Sequence, residues 1–254
     1  MGQYINFWIL IPYFSFWYIL NTLKKNAGLI DIAWGLGFVV LAWIQYITYP
    51  HSLALILVVM VSIWGLRLAY HIGKRNIHQA EDFRYQQFRK DWGSSYWIRS
   101  IFQIYGLQGF LMMVISLAFM SGIFQAQLNS PLLIGVGVLM YSIGFLFEAI
   151  GDHQLKVYKE KPANKGKLIQ HGLWSLSRHP NYFGDAMLWF GIAITSIGLG
   201  SSWIALVGAL TIGILLRFVS GVPLLEERLK KYDGFEKYAQ KVPIFIPLLF
   251  RRKK

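Results

Sequence analysis

The feature that most constrains this chain is a succession of apolar runs, each long enough to cross a bilayer as one helix. Hydrophobic residues make up 55% of the 254 residues, which exceeds the usual share in a soluble domain. The runs are Ile5–Leu23, Ala27–Tyr49, Leu53–Tyr70, Ile101–Phe124 and Pro131–Ile150, followed by Phe183–Val222, which is long enough for two helices broken at 198–202. The sequence therefore predicts an all-α, polytopic membrane protein with about seven transmembrane helices.

The charged residues predict the topology of this bundle. The alternate connections 48–52, 125–130 and 198–202 hold no Lys, Arg, Asp or Glu, whereas the other connections and the tail are rich in Lys and Arg. Because basic loops stay on the cytoplasmic side, we expect the N-terminus outside and the C-terminus inside. We expect one membrane domain over residues 1–254, with its most informative half at about 148–250. The predicted location is a bacterial inner membrane.

The C-terminal region carries much of the net charge of +13. Charged and apolar residues alternate at helical spacing over Glu226–Gln240, which predicts an interfacial helix along the inner leaflet. The end, Arg251–Lys254, is typical of an anchor to anionic lipid. Membrane lipids are therefore the expected partners of these charges, and nucleic acid is not.

Several classes of function are excluded by residues the chain lacks. It has no cysteine, which excludes disulfides, thiolate metal sites and cysteine nucleophiles. No HExxH, Walker A or GxSxG pattern occurs, so zinc protease, P-loop NTPase and serine hydrolase chemistry have no support, and we predict no metal site. Gly35-Leu36-Gly37 lacks the third glycine of a Rossmann fingerprint. It favours close approach of either a neighbouring helix or a flat ligand.

Six charged residues lie in or beside the apolar runs. An unpaired charge there costs about 2.5–3.5 kcal/mol, so each needs a partner or a polar cavity. Interhelical ion pairs and a ligand site are both compatible with this pattern. The six residues are Asp31, Arg67, Glu148, Asp152, Asp185 and Arg217.

The third apolar run presents one polar face. Trp64, Arg67 and His71 are spaced i, i+3 and i+7, and Arg75 follows one turn later. This spacing predicts a polar cavity that opens to the cytoplasm. Alternatively, Arg67 and His71 extend along the helix toward lipid headgroups.

The densest group of polar residues lies between a basic loop and an apolar run, at His171–Asp185. Pro180 suits the first turn of a helix, which places Arg178 and His179 just before the helix and Asp185 about one turn inside. A helix start of this kind favours an anion such as phosphate. We predict a ligand site here.

Arg178-His179-Pro180-Asn181-Tyr182-Phe183-Gly184-Asp185 resembles the motif of the membrane sterol reductases. Nearly the whole chain resembles the bacterial branch of the steroid 5-alpha-reductase superfamily, the type labelled domain of unknown function 1295. Other matching stretches are Asp31–Gly35, Trp64–Asn76, Glu81–Tyr85, Gly151-Asp152, Pro162–Lys167 and Ser220–Glu226.

The resemblance implies an enzyme that holds NADPH on the cytoplasmic side and reduces a carbon–carbon double bond of a lipid-like, steroid-like or isoprenoid substrate. Basic residues at the site, Arg67 and Arg75 included, suit a 2′-phosphate and favour NADPH over NADH. The positions matched to the nucleotide or to the motif are Asp152, Arg178, His179, Asn181, Tyr182, Asp185 and Arg217.

The proton donor is the part of the site where the chain departs from the steroid reductases. Their acid on the second helix corresponds to Asp31, but Trp64 stands where they have a tyrosine. The donor role therefore falls to Asp31, Tyr70 or His71.

The chain also resembles the isoprenylcysteine carboxyl methyltransferases, which use S-adenosylmethionine. That likeness covers Arg178-His179-Pro180, Tyr182 and Gly184, and again Glu226–Leu229 with Tyr232, Tyr238 and Val242-Pro243. Methyl transfer is the alternative function.

Overall fold

In the computed structural model, the described residues are 2–76, 81 and 83–248, and the regular elements among them are all helical. The all-α prediction is confirmed for this part of the chain. The description does not extend to the side chains of residues 2–5, 75, 76 and 83. The side chain of the predicted cofactor ligand Arg75 and the whole predicted anchor Arg251–Lys254 therefore lie outside the described part of the chain.

Eleven α-helices follow one another along the described ranges, with short 3-10 and π turns between them. The helices are α1 Leu10–Lys24, α2 Ile30–Thr48, α3 Leu55–Asn76, α4 Phe83–Trp92, α5 Tyr96–Ser100, α6 Leu107–Gln125, α7 Pro131–Glu160, α8 Pro180–Gly198, α9 Ala205–Ile214, α10 Val222–Leu229 and α11 Phe235–Lys241.

Within the ranges that the structure describes, five helical stretches are long and apolar enough to cross a bilayer, as expected of a multi-pass membrane protein. Two other predicted spans form as α1, with 15 residues, and α8, with 19. The total of seven spans and their orientation stay predictions. The five stretches are Ala27–Thr48, Ser52–Lys74, Arg84–Gln125, Pro131–Glu160 and Ala205–Leu229.

The third of these stretches starts earlier than the sequence indicates. The predicted span begins at Ile101, but helical turns run continuously through 42 residues from Arg84 to Gln125. At 1.5 Å per residue this is about 63 Å, roughly twice the thickness of the hydrocarbon core. The added part, α4 and α5, is rich in charged and aromatic residues and suits the membrane surface.

The chain divides into two compact units. One contains the residues up to 131 together with 196–207, and the other contains 132–195 together with the residues from 208.

In the first unit, α2 and α3 pack with their backbones in close approach. A Cβ added at Gly35 would lie 2.6 Å from the carbonyl oxygen of Gly65, and one added at Gly65 would lie 2.6 Å from that of Gly35. Small residues allow such approach between membrane helices. Of the two roles predicted for this segment, the structure shows helix packing at Gly35.

Two uncharged connections of the same unit, 125–130 and 198–202, are joined by backbone hydrogen bonds. The backbone amide of Gln127 donates to the Leu199 oxygen at 3.0 Å, and that of Ser130 donates to Gly198 at 2.9 Å. The predicted break after α8 occurs at Gly198, and Gly200 has a φ of 97°. The two connections therefore lie at the same end of their helices, as the charge pattern requires.

In the second unit, α7 and α8 meet along a series of glycines spaced seven residues apart. Gly144 and Gly151 lie on α7, and Gly184 and Gly191 lie on α8. A Cβ added at Gly144 would lie 2.6 Å from both the Gly184 oxygen and the Leu188 nitrogen. This contact fixes the first turns of α8, which include the end of its polar motif, against the middle of α7.

The C-terminal region corrects one prediction. Instead of one helix over Glu226–Gln240, α10 ends at Leu229 and α11 begins at Phe235. Gly234, with a φ of 79°, supplies the left-handed conformation of the intervening turn. Glu226 is also not a surface residue, because α10 turns it toward the start of α8.

Candidate functional site

The motif that precedes α8 forms its predicted helix start. Pro180 is the first residue of α8, where its missing amide hydrogen leaves no intrahelical bond unmade. Just before it, the amide of His179 donates to Ser177 Oγ at 3.1 Å, and that hydroxyl donates to the Phe245 carbonyl at 2.7 Å. The motif is thus tied to the C-terminal segment.

Arg178 clamps that segment through most of its donors. Nε and Nη2 pair with the two oxygens of Glu226 at 3.1 and 2.7 Å, and Nη1 donates to the carbonyls of Ala239 and Val242, both at 3.0 Å. Only 8% of Arg178 is exposed. A fork of donors matched to a carboxylate is the strongest geometry for arginine. Arg178 therefore has a structural task that leaves it little capacity for a cofactor.

His179 shares the same carboxylate. Its Nε2 lies 2.7 Å from Glu226 Oε1, and the ring stacks on Tyr182 with centroids 6.0 Å apart. His179 is fully buried, and no described residue hydrogen-bonds its Nδ1. With the Glu226 carboxylate as acceptor, Nε2 donates, so a neutral ring presents Nδ1 as an acceptor.

A second polar contact joins α7 to α8. Asn181 Nδ2 donates to Asp152 Oδ1 at 2.9 Å, and a Cβ added at Gly151 would lie 3.3 Å from the Asn181 nitrogen. The Asn181 oxygen is buried and accepts no hydrogen bond from the described residues. A buried carbonyl oxygen without a donor destabilises the folded protein unless a ligand or a water molecule donates a hydrogen bond to it. Asp185, half-buried, follows Asn181 one turn along α8.

Two further hydrogen bonds, both made by Trp174, hold the segment that precedes the motif. Trp174 Nε1 donates to the Gly151 carbonyl at 3.1 Å, and the Tyr238 hydroxyl donates to the Trp174 carbonyl at 2.6 Å. Burial raises the pKa of Tyr238, which keeps it a neutral donor. The residues around Asn181 are thus positioned by α7, α8 and α11 together.

Arg217 lies away from these contacts, on the π turn Leu215–Val219 that follows α9. It lines an apolar cleft with Phe190, Phe218 and Phe245. Of the other predicted cofactor ligands whose side chains the structure describes, none lines that cleft.

In the first unit, Asp31 is held by α4. Arg84 Nη2 lies 3.1 Å from Asp31 Oδ2, and the buried Tyr85 hydroxyl donates to Oδ1 at 2.9 Å. Both carboxylate oxygens thus accept hydrogen bonds, an arrangement that suits positioning of α4. Asp31 as proton donor stays a prediction that this geometry does not favour.

The predicted polar face of α3 forms on a continuous helix. Trp64 is fully buried and Arg67 and His71 are half-buried, whereas Tyr70 is 69% exposed. A tyrosine this exposed does not suit a donor in an enclosed cavity. His71 is the predicted donor whose burial agrees best with the role.

Sequence reasoning missed the partner residues of the site. Glu226 binds Arg178 and His179, yet it was expected on a surface helix. The sequence feature that indicates a functional role of Glu226 is the methyltransferase likeness at Glu226–Leu229, which includes this glutamate. Arg84 and Tyr85, the partners of Asp31, are not distinguished by any pattern from the other basic and aromatic residues of their loop.

Comparison with known proteins gives one match to a named protein. The probable O-methyltransferase ustE of Ustilaginoidea virens is 36% identical over 66 residues. These are 26% of this chain and 23% of that protein, so the likeness covers under a quarter of the relative. No solved structure matches.

A family comparison covers far more of the chain. Residues 17–242, which include most of both units and every predicted site residue, match the family described as protein of unknown function DUF1295. The chain belongs to the DUF1295 family.

Proposed function

We propose that this protein is a membrane oxidoreductase that uses NADPH to reduce a carbon–carbon double bond of a lipid-like substrate. The observation that carries the proposal is the contact of Asn181 with Asp152, which leaves the Asn181 oxygen buried and without a partner among the described residues. Both residues match nucleotide-binding positions of the steroid reductases. The Asn181 oxygen is a buried acceptor in a side chain whose nitrogen is already hydrogen-bonded, as expected of a site that binds a polar ligand.

The residues present fit such a cofactor. Asn181 offers an amide oxygen, and Asp152 and Asp185 offer carboxylates, which accept hydrogen bonds from the hydroxyl groups of a ribose. The nearby segment 156–167 carries exposed Lys156, Lys161 and Lys165, which suit a 2′-phosphate. NADPH, when bound, supplies the hydride.

The rest of the motif positions these groups. Arg178 and His179 hold Glu226 and the C-terminal segment, which fixes the start of α8 and therefore Asn181. The buried Trp174 holds the end of α7 beside it, because its Nε1 donates to the Gly151 carbonyl. The reduction also needs a proton, for which Asp31, Tyr70 and His71 stay the predicted donors.

Methyl transfer is the second candidate, because the named relative is a probable O-methyltransferase. In that case the same motif would bind S-adenosylmethionine. The carboxylates of Asp152 and Asp185 would suit its ribose hydroxyls equally, so the two proposals differ in the cofactor and not in the location of its site.

The test is the affinity of detergent-purified protein for NADPH, measured by tryptophan fluorescence, in wild type and in Asn181→Ala. Loss of a hydrogen bond to a buried group costs about 1–3 kcal/mol, so we expect affinity to fall by between about fivefold and 150-fold. Ser142→Ala, an exposed position on α7, is the control and should bind as wild type does. Equal NADPH affinity in all three proteins would refute the assignment of Asn181.

A further inference from the structure

An apolar cleft opens in the second unit beside α8. It is formed by α8, by α9 with the π turn after it, and by segment 243–246, and its volume is about 520 Å³. This volume lies within the range of about 300–1,000 Å³ for small-molecule sites. Its walls include Phe190, Leu210, Ile214, Phe218 and Phe245.

Among the described residues, Arg217 is the one cation that lines this cleft. The guanidinium of Arg217 lies 4.7 Å from the ring centre of Phe218, and the structure records no hydrogen bond or ion pair to it from the described residues. A cation–π contact offsets part of the cost of burying a cation but brings no negative charge. Arg178 differs, since its donors are bound to protein oxygens. Arg217 therefore keeps its donors available for a ligand.

The local backbone favours a ligand at the same place. Arg217 lies in a π turn, a widened turn that is frequent at functional sites. Four residues earlier, Gly213 leaves the cleft open: a Cβ added there would meet only Phe190, at 3.8 Å.

We propose that this cleft binds a single-chain lipid that ends in a carboxylate, with Arg217 pairing the carboxylate and the apolar walls holding the chain. One guanidinium matches one carboxylate in geometry and in charge. A phosphate monoester or diphosphate carries more negative charge, and no second basic residue among the described ones lines the cleft. Arg217 thus binds the lipid and not the cofactor to which the family likeness assigned it. The inference deepens the proposed function and rests on it only in calling this lipid the substrate.

The charge is tested with cis-parinaric acid, a fluorescent fatty acid, bound to the full-length purified protein and displaced by oleate or by oleyl alcohol. Arg217→Gln should weaken oleate binding about tenfold or more, because a charge-assisted pair is lost, and should leave oleyl alcohol unchanged. Arg217→Lys should retain most of the oleate affinity.

The cleft itself is tested at Gly213. Gly213→Leu fills the space beside Phe190 and should weaken both oleate and oleyl alcohol. Gly135→Leu makes the same change on α7, where an added Cβ meets nothing within 4 Å, and should weaken neither.

Three outcomes would overturn the inference. Oleate affinity that is unchanged in Arg217→Gln would show that ordinary lipid contact accounts for the binding. Displacement by dioleoyl phosphatidic acid at least as strong as by oleate, and equally dependent on Arg217, would identify a phosphate headgroup instead. Equal effects of the two leucine variants would remove the cleft as the site.

The proposed function can fail separately from this inference. NADPH affinity is measured in the same preparation. NADPH binding without Arg217-dependent oleate binding refutes the lipid site alone. The reverse result supports the lipid site and refutes the cofactor.

Discussion

Two adjacent glutamates on α10 have very different surroundings. Glu226 accepts from Arg178 and His179 within the protein, whereas Glu227 pairs with Lys230 on the surface, with 70% of its side chain exposed. Chain position and residue type do not distinguish them. Only the packing of α10 shows that Glu226 belongs to the site.

This difference gives a matched prediction. Glu226→Ala leaves the buried Arg178 without its carboxylate, so the free energy of unfolding should fall by about 3–5 kcal/mol. Glu227→Ala removes an exposed pair and should cost about 1 kcal/mol or less. Thermal unfolding in detergent, followed by tryptophan fluorescence, compares the two. Equal shifts would contradict the clamp at Arg178.

The helix pair α7–α8 holds the motif in place through its glycines. Gly144→Ala places a methyl group against backbone atoms at 2.6 Å and should destabilise the protein by about 1–3 kcal/mol, the range for overpacking. Gly135→Ala, on the open face of α7, should instead be neutral or stabilise by about 0.5–1 kcal/mol, because alanine favours helix over glycine. The two variants should therefore shift the unfolding midpoint in opposite directions. A midpoint of Gly144→Ala at or above that of wild type would contradict the packing.

At this scale the sequence predicts helices better than their ends and contacts. Pro180 marks the start of α8 and Gly198 its end, because proline and glycine act through local geometry. The length of Arg84–Gln125 is not predicted, since its first half lacks the apolar run that marks a span. The division of Glu226–Gln240 into two helices depends on the positive φ of Gly234. The alternating charges of this segment do not reveal that turn.

For the molecule as a whole, the charge pattern predicts that the uncharged connections lie on the side of the membrane opposite to the cytoplasm. The chain has no cysteine, so single cysteines can report on this directly. Cysteines at exposed Asn129 and Ser202 should react with an impermeant maleimide added to intact cells, whereas one at Lys165 should react only after lysis. Reaction of Lys165→Cys in intact cells would reverse the orientation.

Composition and apolar runs predict the all-helical membrane fold for a general reason. The bilayer sets the length of every span and requires its backbone groups to be hydrogen-bonded within the segment. The site is predicted only as far as its motif: Asp152 meets Asn181, and Arg178 and His179 lie together. The partners that complete it, Glu226 and the carbonyls of Ala239 and Val242, come from a distant part of the chain. Long-range pairing of this kind leaves no periodic signal in one sequence.

Binding of NADPH by the motif at the start of α8 carries the proposed function. Its most direct test is a side-by-side titration of purified wild-type protein with NADPH, NADH and S-adenosylmethionine, following the unfolding midpoint and tryptophan fluorescence. The proposal predicts a saturable rise in midpoint with NADPH, a weaker response to NADH and none to S-adenosylmethionine, because a ligand that binds only the folded state stabilises it. A response to S-adenosylmethionine alone would contradict it and favour methyl transfer.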